Sequence, residues 1–424
     1  MKPLLSLLIL ATLLSTESKS QSHELIGYWH NWYSAASPYI ELDQVDSRYS
    51  IVAVSFAEAA VGSDYQMVFI PGMVSSSVLQ QQIQSLKQQG QKVIISMGGA
   101  NSPISLDNVA ERDTFVASME RIINDYDFDG IDIDFEGSSL STTGGTISNP
   151  TDQKIINLID AIKTLQQNYF NQHQKHLMLT MAPETAFVQG GQSTFGGIWG
   201  AYLPVIEALR DSLDILSVQL YNSGSMYGLD GNTYTQGTAD FIVAMTEATI
   251  HGFTTSGGSF TGLPESKIAV GLPACQGAAG GGYADSATVA SAMRYLIGQG
   301  PQPGNYHLLN SSGYPNLRGM MTWSINWDAA CSVPLEYAAN YESIFGSTSV
   351  IEEHQTTEKS IYPNPANHII NFTKDPNDLI LITDVTGKTI SVSSPNSFLD
   401  ISFLAQGSYF LKIGSETFRL VKIE

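Results

Sequence analysis

The chain is poor in cysteine and in positive charge, and past its first two dozen residues it has no long apolar run. Only two cysteines, Cys275 and Cys331, occur among 424 residues, which excludes a cysteine-rich scaffold and a metal centre built mainly on thiolates. In an exported chain that pair leaves one disulfide and two buried thiols equally open. Twenty Lys and Arg stand against forty Asp and Glu, a formal charge of −20. Such a balance argues against a nucleic-acid partner and suits a neutral or cationic one. No segment after residue 22 is apolar for long enough to cross a bilayer.

What is present begins with a leader. Met1-Lys2-Pro3 precedes a largely apolar run from Leu4 to Leu14 and a polar stretch ending near Ser20 to Ser22, which reads as a signal peptide over residues 1–22 and predicts an exported protein. From residue 25 to about 345, short apolar strands alternate with candidate helices. The strands are Leu25 to Trp29, Ser50 to Ala57, Lys92 to Met97, Gly130 to Phe135, Leu177 to Met181, Ile215 to Leu220, Ile268 to Gly271 and Gly319 to Trp323. Helices are predicted for Ser77 to Gln89, Arg112 to Asp125, Thr151 to Tyr169, Leu203 to Asp211, Thr238 to Gly252 and Ser286 to Gly298. This alternation predicts an α/β protein, a (β/α)8 TIM barrel over residues 23–346 rather than a doubly wound sheet.

Past Phe345 the composition changes. Residues 347–360 are polar and acidic without helical periodicity and read as a linker. After the turn cluster Tyr362-Pro363-Asn364-Pro365-Ala366-Asn367, strands are predicted at Ile369 to Phe372, Leu379 to Asp384, Lys388 to Ser391, Ser408 to Ile413 and Phe418 to Ile423. Together they suggest a small all-β sandwich over residues 361–424, with no catalytic cluster in it.

Chemistry concentrates in Asp129-Gly130-Ile131-Asp132-Ile133-Asp134-Phe135-Glu136-Gly137. On a strand of period two, Asp132, Asp134 and Glu136 point one way and Ile131, Ile133 and Phe135 the other. Like charges in a row cost stability unless some share protons or stay solvated, so the pattern points to chemistry. Asp129 has the opposite parity and is expected to shape the start of the strand or to bond nearby backbone. Residues 125–136 also satisfy the short calcium-loop pattern literally. That reading fails on context, because the Gly- and Ser-rich stretch after Glu136 cannot supply the required helix and the normally apolar eighth position is Asp132.

Barrel active sites use the carboxyl ends of strands. Glu136 ends candidate strand four, Met181-Ala182-Pro183-Glu184 ends five, Gln219, Tyr221 and Asn222 end six, and Trp323 ends eight. Tyr28, Trp29, Trp32 and Tyr33, near strand one, are candidates for lining a groove against flat sugar faces, though each reads equally well as core.

With these residues in place the chain resembles glycoside hydrolases of family 18, the chitinase family. The strand-four signature DxxDxDxE is complete at Asp129, Asp132, Asp134 and Glu136. Ser96-Met97-Gly98-Gly99, the Met181 segment, Gln219-Leu220-Tyr221-Asn222 and Met321-Thr322-Trp323-Ser324 match in order and placement. The resemblance implies a retaining, endo-acting chitinase with Glu136 as general acid and then base, and with the substrate's N-acetyl oxygen as nucleophile. It implies that Asp134 orients the acetamido nitrogen, that Asp132 tunes Asp134 by sharing a proton with it, and that Glu136 is thereby kept protonated. Tyr221 would bond the N-acetyl oxygen and Trp323 would floor the pocket, with Tyr28, Trp32, Met181, Gln219 and Asn222 completing it; no cofactor and no metal are required.

Two alternatives accompany this reading. Endo-β-N-acetylglucosaminidases that open N-glycan chitobiose cores share the chemistry, and sugar-binding lectins keep the barrel but usually lack the glutamate that is present here. Too few residues separate strands seven and eight for the α+β insertion that walls a deep tunnel, so a shallow groove is expected. The terminal unit resembles the sorting domain of proteins exported through the type IX system of Bacteroidetes, on Tyr362-Pro363-Asn364-Pro365, Asp384-Val385-Thr386-Gly387-Lys388 and Leu404-Ala405-Gln406-Gly407-Ser408-Tyr409 with Lys412. The resemblance implies outer-membrane secretion machinery as a partner and a secreted or cell-surface protein. A carbohydrate-binding module is the weaker alternative, since the unit has no tryptophan. Cys275 and Cys331 follow strands that are neighbours in a closed barrel, where a bridge would pin two rim loops. Nothing predicts an oligomer, and the chain is expected to be monomeric.

Overall fold

A computed structural model describes residues 23–346, 361–362, 364–372, 379–384, 387–393, 398–413 and 416–423. The predicted signal peptide and linker lie outside the described residues, as do Pro363, Val385 and Thr386 of the terminal motifs. The described residues fall into two compact units, divided between Gly346 and Ser347.

The first unit is built on eight parallel strands: β1 (Glu24–His30), β2 (Ile51–Ala59), β3 (Lys92–Gly98), β4 (Gly130–Asp134), β5 (Met178–Met181), β6 (Ile215–Leu216), β7 (Ala269–Pro273) and β8 (Gly319–Trp323). They run around the barrel in the order β7-β8-β1-β2-β3-β4-β5-β6. The seam between β6 and β7 is closed only by the isolated bridges Leu216 to Ile268 and Gln219 to Gly271. All eight predicted strands are therefore present. The sixth is shorter than expected: regular pairing stops at Leu216, and residues 217–219 continue through single bonds, Ser217 N–H to the Met181 carbonyl and Gln219 N–H to the Pro183 carbonyl.

Helices α1 (Ser76–Gln88), α2 (Val109–Tyr126), α3 (Gln153–His173), α4 (Leu203–Leu209), α5 (Ala239–His251) and α6 (Ser286–Leu296) surround the barrel, close to the predicted spans. Helix α1 shows why: Ser75 caps it by accepting the Val78 N–H, and Leu79, Ile83 and Leu86 recur at helical spacing and are buried. Two further helices, α7 (Ile325–Ala330) and α8 (Glu336–Phe345), were not predicted. They are short, and Asp328 ties them together, its carboxylate accepting the Tyr49 hydroxyl and the N–H groups of Tyr337 and Ala338. That buried anchor carries no periodic signal.

Alternation along each strand separates two cores. Ile131, Ile133, Leu179 and Met181 pack outward against the helices, while Ile26, Tyr28, Ile94, Ile215 and Met321 fill the inside of the barrel. Above that inner layer the interior turns polar.

The second unit consists of β9 (Ile361–Tyr362), β10 (Ile369–Phe372), β11 (Ile380–Asp384), β12 (Thr389–Ser393), β13 (Phe398–Asp400), β14 (Gly407–Ile413) and β15 (Glu416–Lys422). These form antiparallel sheets ordered β9-β10-β13 and β12-β11-β14-β15. Ile370, Phe372 and Leu399 of one sheet share a core with Ile380, Ile382, Leu411, Ile413 and Leu420 of the other, which makes a small sandwich. The short strands β9 and β13 escaped the sequence reading.

Cys275 and Cys331 are joined, with their Cα atoms 6.3 Å apart. The bridge links the segment after β7 to the end of α7, beyond β8. It closes a loop of sequence separation 56, for which the chain-entropy account gives about 4 kcal/mol, with losses of about 2–5 kcal/mol typical of native bridges. Replacing both cysteines by serine is expected to lower the unfolding free energy within that range, measured by denaturant titration of the non-reduced protein against the double variant.

Candidate active site

Asp132 sits deepest in the barrel. Its carboxylate accepts three hydroxyl groups from three different strands: Tyr28 at 2.7 Å, Ser96 at 2.7 Å and Thr180 at 2.6 Å. Burial pushes its pKa up and these three donors work against that shift. Asp134 lies one pleat higher and is also buried. Its carboxyl is pushed well above the usual range, first by burial, then by the charge of Glu136 and then by that of Asp132. Beside it Glu136 projects from just beyond β4 and is half-buried.

One amide nitrogen organises the pair. Gln219 Nε2 lies 2.9 Å from each of Asp134 Oδ1, Glu136 Oε1 and the Ala182 carbonyl oxygen. The sequence reading assigned the shared proton to Asp132 and Asp134 and expected Glu136 to stay protonated. In the structure three hydroxyl donors meet Asp132, and the Asp134 carboxyl, raised by burial and by its two acidic neighbours, stands beside Glu136 on the Gln219 amide.

The end of β3 makes room for this arrangement. Gly98 and Gly99 have φ of 102° and 76°. A Cβ on Gly98 would lie 2.6 Å from the Asp134 carbonyl oxygen, and one on Gly99 would lie 2.8 Å from the Phe56 ring. The Gly99 N–H can thus donate to the Asp134 carbonyl at 2.8 Å.

Above the carboxyls opens a cavity of about 300 Å³ lined by Tyr28, Trp32, Phe56, Trp323, Tyr221 and Asn222, together with Gly98, Gly99 and Gln219. Its aromatic wall is continuous: Phe56 stacks on Trp323 with centroids 5.8 Å apart and planes 14° apart, and Trp32 lies 6.1 Å from Phe56. Behind Trp32 the buried His30 ring stacks in parallel at 4.5 Å. Burial lowers the His30 pKa to about 4, so the ring is neutral through the ordinary working range. Asn222, at φ 53°, turns its side-chain oxygen to accept the Gly281 N–H at 3.1 Å. Tyr221 is buried beside Asp134 and Glu136, and among the described residues its hydroxyl meets no hydrogen-bond partner.

Other predicted positions fall elsewhere. Met181 does not reach the pocket; strand parity turns it into the core between barrel and helices, and Thr180 takes the inward place. Trp29 likewise points outward, donating its indole N–H to the Ile40 carbonyl at 2.8 Å, and Tyr33 is exposed and outside the cavity wall. Asp129 accepts the Val93 N–H at 3.0 Å and lies 3.2 Å from the Lys87 ammonium, which also pairs with Asp127. A lysine thus stands where the rival loop reading would put a cation.

The wall also holds residues that the sequence reading passed over, among them Phe56, Glu58, Asn101 and Glu184. Phe56 was hidden by a register shift between Val54 and Ala57, which breaks strict alternation and turns its ring inward. Glu184 could have been found, since it closes the segment already placed at the end of strand five. Its carboxyl is raised by burial and by the nearby Glu136. With Glu58, Asp134, Glu136 and Glu184 present, the lining holds four carboxyl groups and no basic side chain. Such a pocket disfavours polyanionic glycans and suits neutral ones.

The profile of glycosyl hydrolases family 18 matches residues 24–346, and that of the secretion system C-terminal sorting domain matches residues 360–423. Over 321 residues the chain is 47% identical to chitinase D of Niallia circulans, covering 74% of this chain and 60% of that protein. Over 343 residues it is 44% identical to chitinase Chi52 of Paenibacillus xylanexedens, covering 80% and 64%. The chain thus spans less than two thirds of either relative. The crystal structure of a family 18 chitinase from Chromobacterium violaceum superposes with a TM-score of 0.68 at 33% identity, covering 76% of this chain and 83% of that one.

Because its pKa is raised on folding, Asp134 contributes stability that is fully present below the ordinary carboxylate range and is lost as pH rises through its folded value. Asparagine has the same shape, can donate to Glu136, and never ionises. Asp134→Asn is therefore expected to be more stable than the parent at pH 7, the gap closing as pH falls to the ordinary carboxylate range, about pH 4. Thermal unfolding of both proteins at the two pH values measures it.

Proposed function

Since the chain belongs to glycosyl hydrolases family 18 over residues 24–346, we propose that it is a retaining, endo-acting chitinase that hydrolyses β-1,4-N-acetylglucosaminide bonds by substrate-assisted catalysis. The observation that carries this reading is that a single amide nitrogen, Gln219 Nε2, lies 2.9 Å from both Asp134 Oδ1 and Glu136 Oε1. A two-carboxylate mechanism separates its acid from its nucleophile or base by about 5–9.5 Å, with the sugar or a water between them. Two carboxyls that project from the same strand face onto one amide nitrogen do not flank a sugar from opposite sides. The nucleophile is then left to the substrate, whose N-acetyl carbonyl oxygen lies within reach of C1.

The reaction follows from the pair. As substrate enters, the proton held between Asp134 and Glu136 moves to Glu136, which passes it to the glycosidic oxygen as the bond to C1 breaks. The acetyl oxygen forms the new bond to C1, giving an oxazolinium ion. Asp134, now anionic, accepts a hydrogen bond from the acetamido N–H and stabilises the developing positive charge, while Asp132 remains fixed by its hydroxyl donors. Glu136 then takes a proton from the water that opens the ring, restoring the β configuration. The unengaged Tyr221 hydroxyl suits the acetyl oxygen, and Trp323 with Phe56 and Tyr28 offers apolar faces to the ring.

Endo action is supported by the connection between β7 and β8, residues 274–318, which carries α6 and one short helical turn but no strand. Nothing in it walls the groove into a tunnel. The match of residues 360–423 to a sorting domain supports export across an outer membrane in a Bacteroidetes bacterium, with transport machinery as partner.

The test incubates the barrel unit and its Glu136→Gln variant with chitin oligosaccharides and with a high-mannose glycopeptide, resolving product anomers with time. Early β-anomeric chito-oligosaccharides, falling by at least about 100-fold in the variant, are the expected result. Release of α-anomers overturns retention, and cleavage of the glycopeptide alone moves the assignment to the N-glycan enzymes.

A further inference from the structure

The ladder between β4 and β5 stops one rung short of the proposed acid, and a tyrosine from another element takes the vacant rung. The register pairs Ile133 with Met181, and the Ala182 N–H donates to the Ile133 carbonyl at 3.0 Å. One step further, a parallel ladder would send the Phe135 N–H to the Ala182 carbonyl and bring the Glu184 N–H to the Phe135 carbonyl. Neither bond forms among the described residues. Instead the Phe135 N–H donates to the Tyr202 hydroxyl oxygen at 2.7 Å, and that hydroxyl donates to the Phe135 carbonyl at 3.0 Å.

Two consequences follow for the site. The buried backbone immediately before Glu136 is satisfied by a side chain rather than by β5, so its position is set by where Tyr202 is held. The Ala182 carbonyl, released from the ladder, accepts Gln219 Nε2 at 2.9 Å and so becomes the third support of the amide that touches Asp134 and Glu136. Tyr202 is itself rigidly seated. It is fully buried, its ring meets Phe187 edge-on at 5.8 Å and 90°, and its N–H donates to the Phe187 carbonyl at 3.0 Å. It does not line the cavity.

We propose that Tyr202 is a positioning residue for the proton donor: its hydroxyl, wedged between β4 and β5, fixes the backbone that carries Glu136 and keeps Gln219 on the carboxyl pair. The inference rests on the reading of Glu136 as general acid. Tyr202→Phe keeps the ring and removes only the hydroxyl. A misplaced acid matters most when the leaving group is poor, so kcat on chitotetraose is expected to fall about 10–100-fold while that on dinitrophenyl chitobioside falls less than about threefold, with KM for both nearly unchanged. Phe187→Leu, which loosens the seat but keeps the hydroxyl, is expected to lose stability and to affect the two substrates equally.

Glu136→Gln, run alongside, separates the two ideas. If it shows no loss on chitotetraose, the assignment of the acid is wrong. If it shows the loss and Tyr202→Phe lowers both substrates equally or neither, the role given to Tyr202 is wrong. Should Tyr202→Phe not be recovered folded, 3-fluorotyrosine at position 202 alters donor and acceptor strength within the same shape. An unchanged ratio of the two kcat values then overturns the proposal.

Discussion

Burying like charge is the constraint on which the rest of this barrel depends. Three carboxyl groups project from one face of β4 and the residues just past it, and two of them are almost wholly removed from water. Left unattended, such a row would cost several kcal/mol per ionised group. The barrel disposes of it unequally. Asp132 is surrounded by neutral hydroxyls, Asp134 is pushed toward its neutral form, and Glu136 stands half-buried on the cavity wall. The glycines at the end of β3, the shortened β6 and the placement of Gln219 all serve that division.

An inequality of this kind is also what acid and base chemistry requires. Groups whose environments push their proton affinities apart can pass a proton in one direction and then receive one back. Here the gradient runs outward from β4, from a saturated carboxyl, to one pushed toward its neutral form, to one half-buried at the cavity. The aromatic wall of Trp32, Phe56 and Trp323 lies over its outer end.

Much of this was legible in the sequence because it depends on local rules. Strand period alone placed Asp132, Asp134 and Glu136 on one face, and the apolar segments located all eight barrel strands. Where the reading failed, a tertiary effect had broken a local rule. A bulge in β2 reversed the direction of Phe56. Met181 was assigned to the pocket by analogy, although the parity of β5 sends it outward. The hydroxyls that saturate Asp132 come from β1, β3 and β5, up to 104 positions away, and no local pattern announces them. Helix α7 is six residues long and held by the buried Asp328, which a periodicity reading does not register, whereas α8 carries an apolar stripe of Tyr337, Ala338, Tyr341, Ile344 and Phe345 that the reading passed over.

Gln219 occupies a second position of consequence. Its backbone bridges to Glu184 on one side and to Gly271 on the other, across the seam where β6 has ceased to pair regularly. The residue whose amide meets both carboxyls is therefore also a staple of the hoop. In evolutionary terms the two properties are inherited together. Loops on the rim can lengthen or shorten as substrates change, but a single insertion or deletion in residues 215–219 would shift the staple and the amide at once, leaving no intermediate form that keeps a closed barrel while searching for a new site.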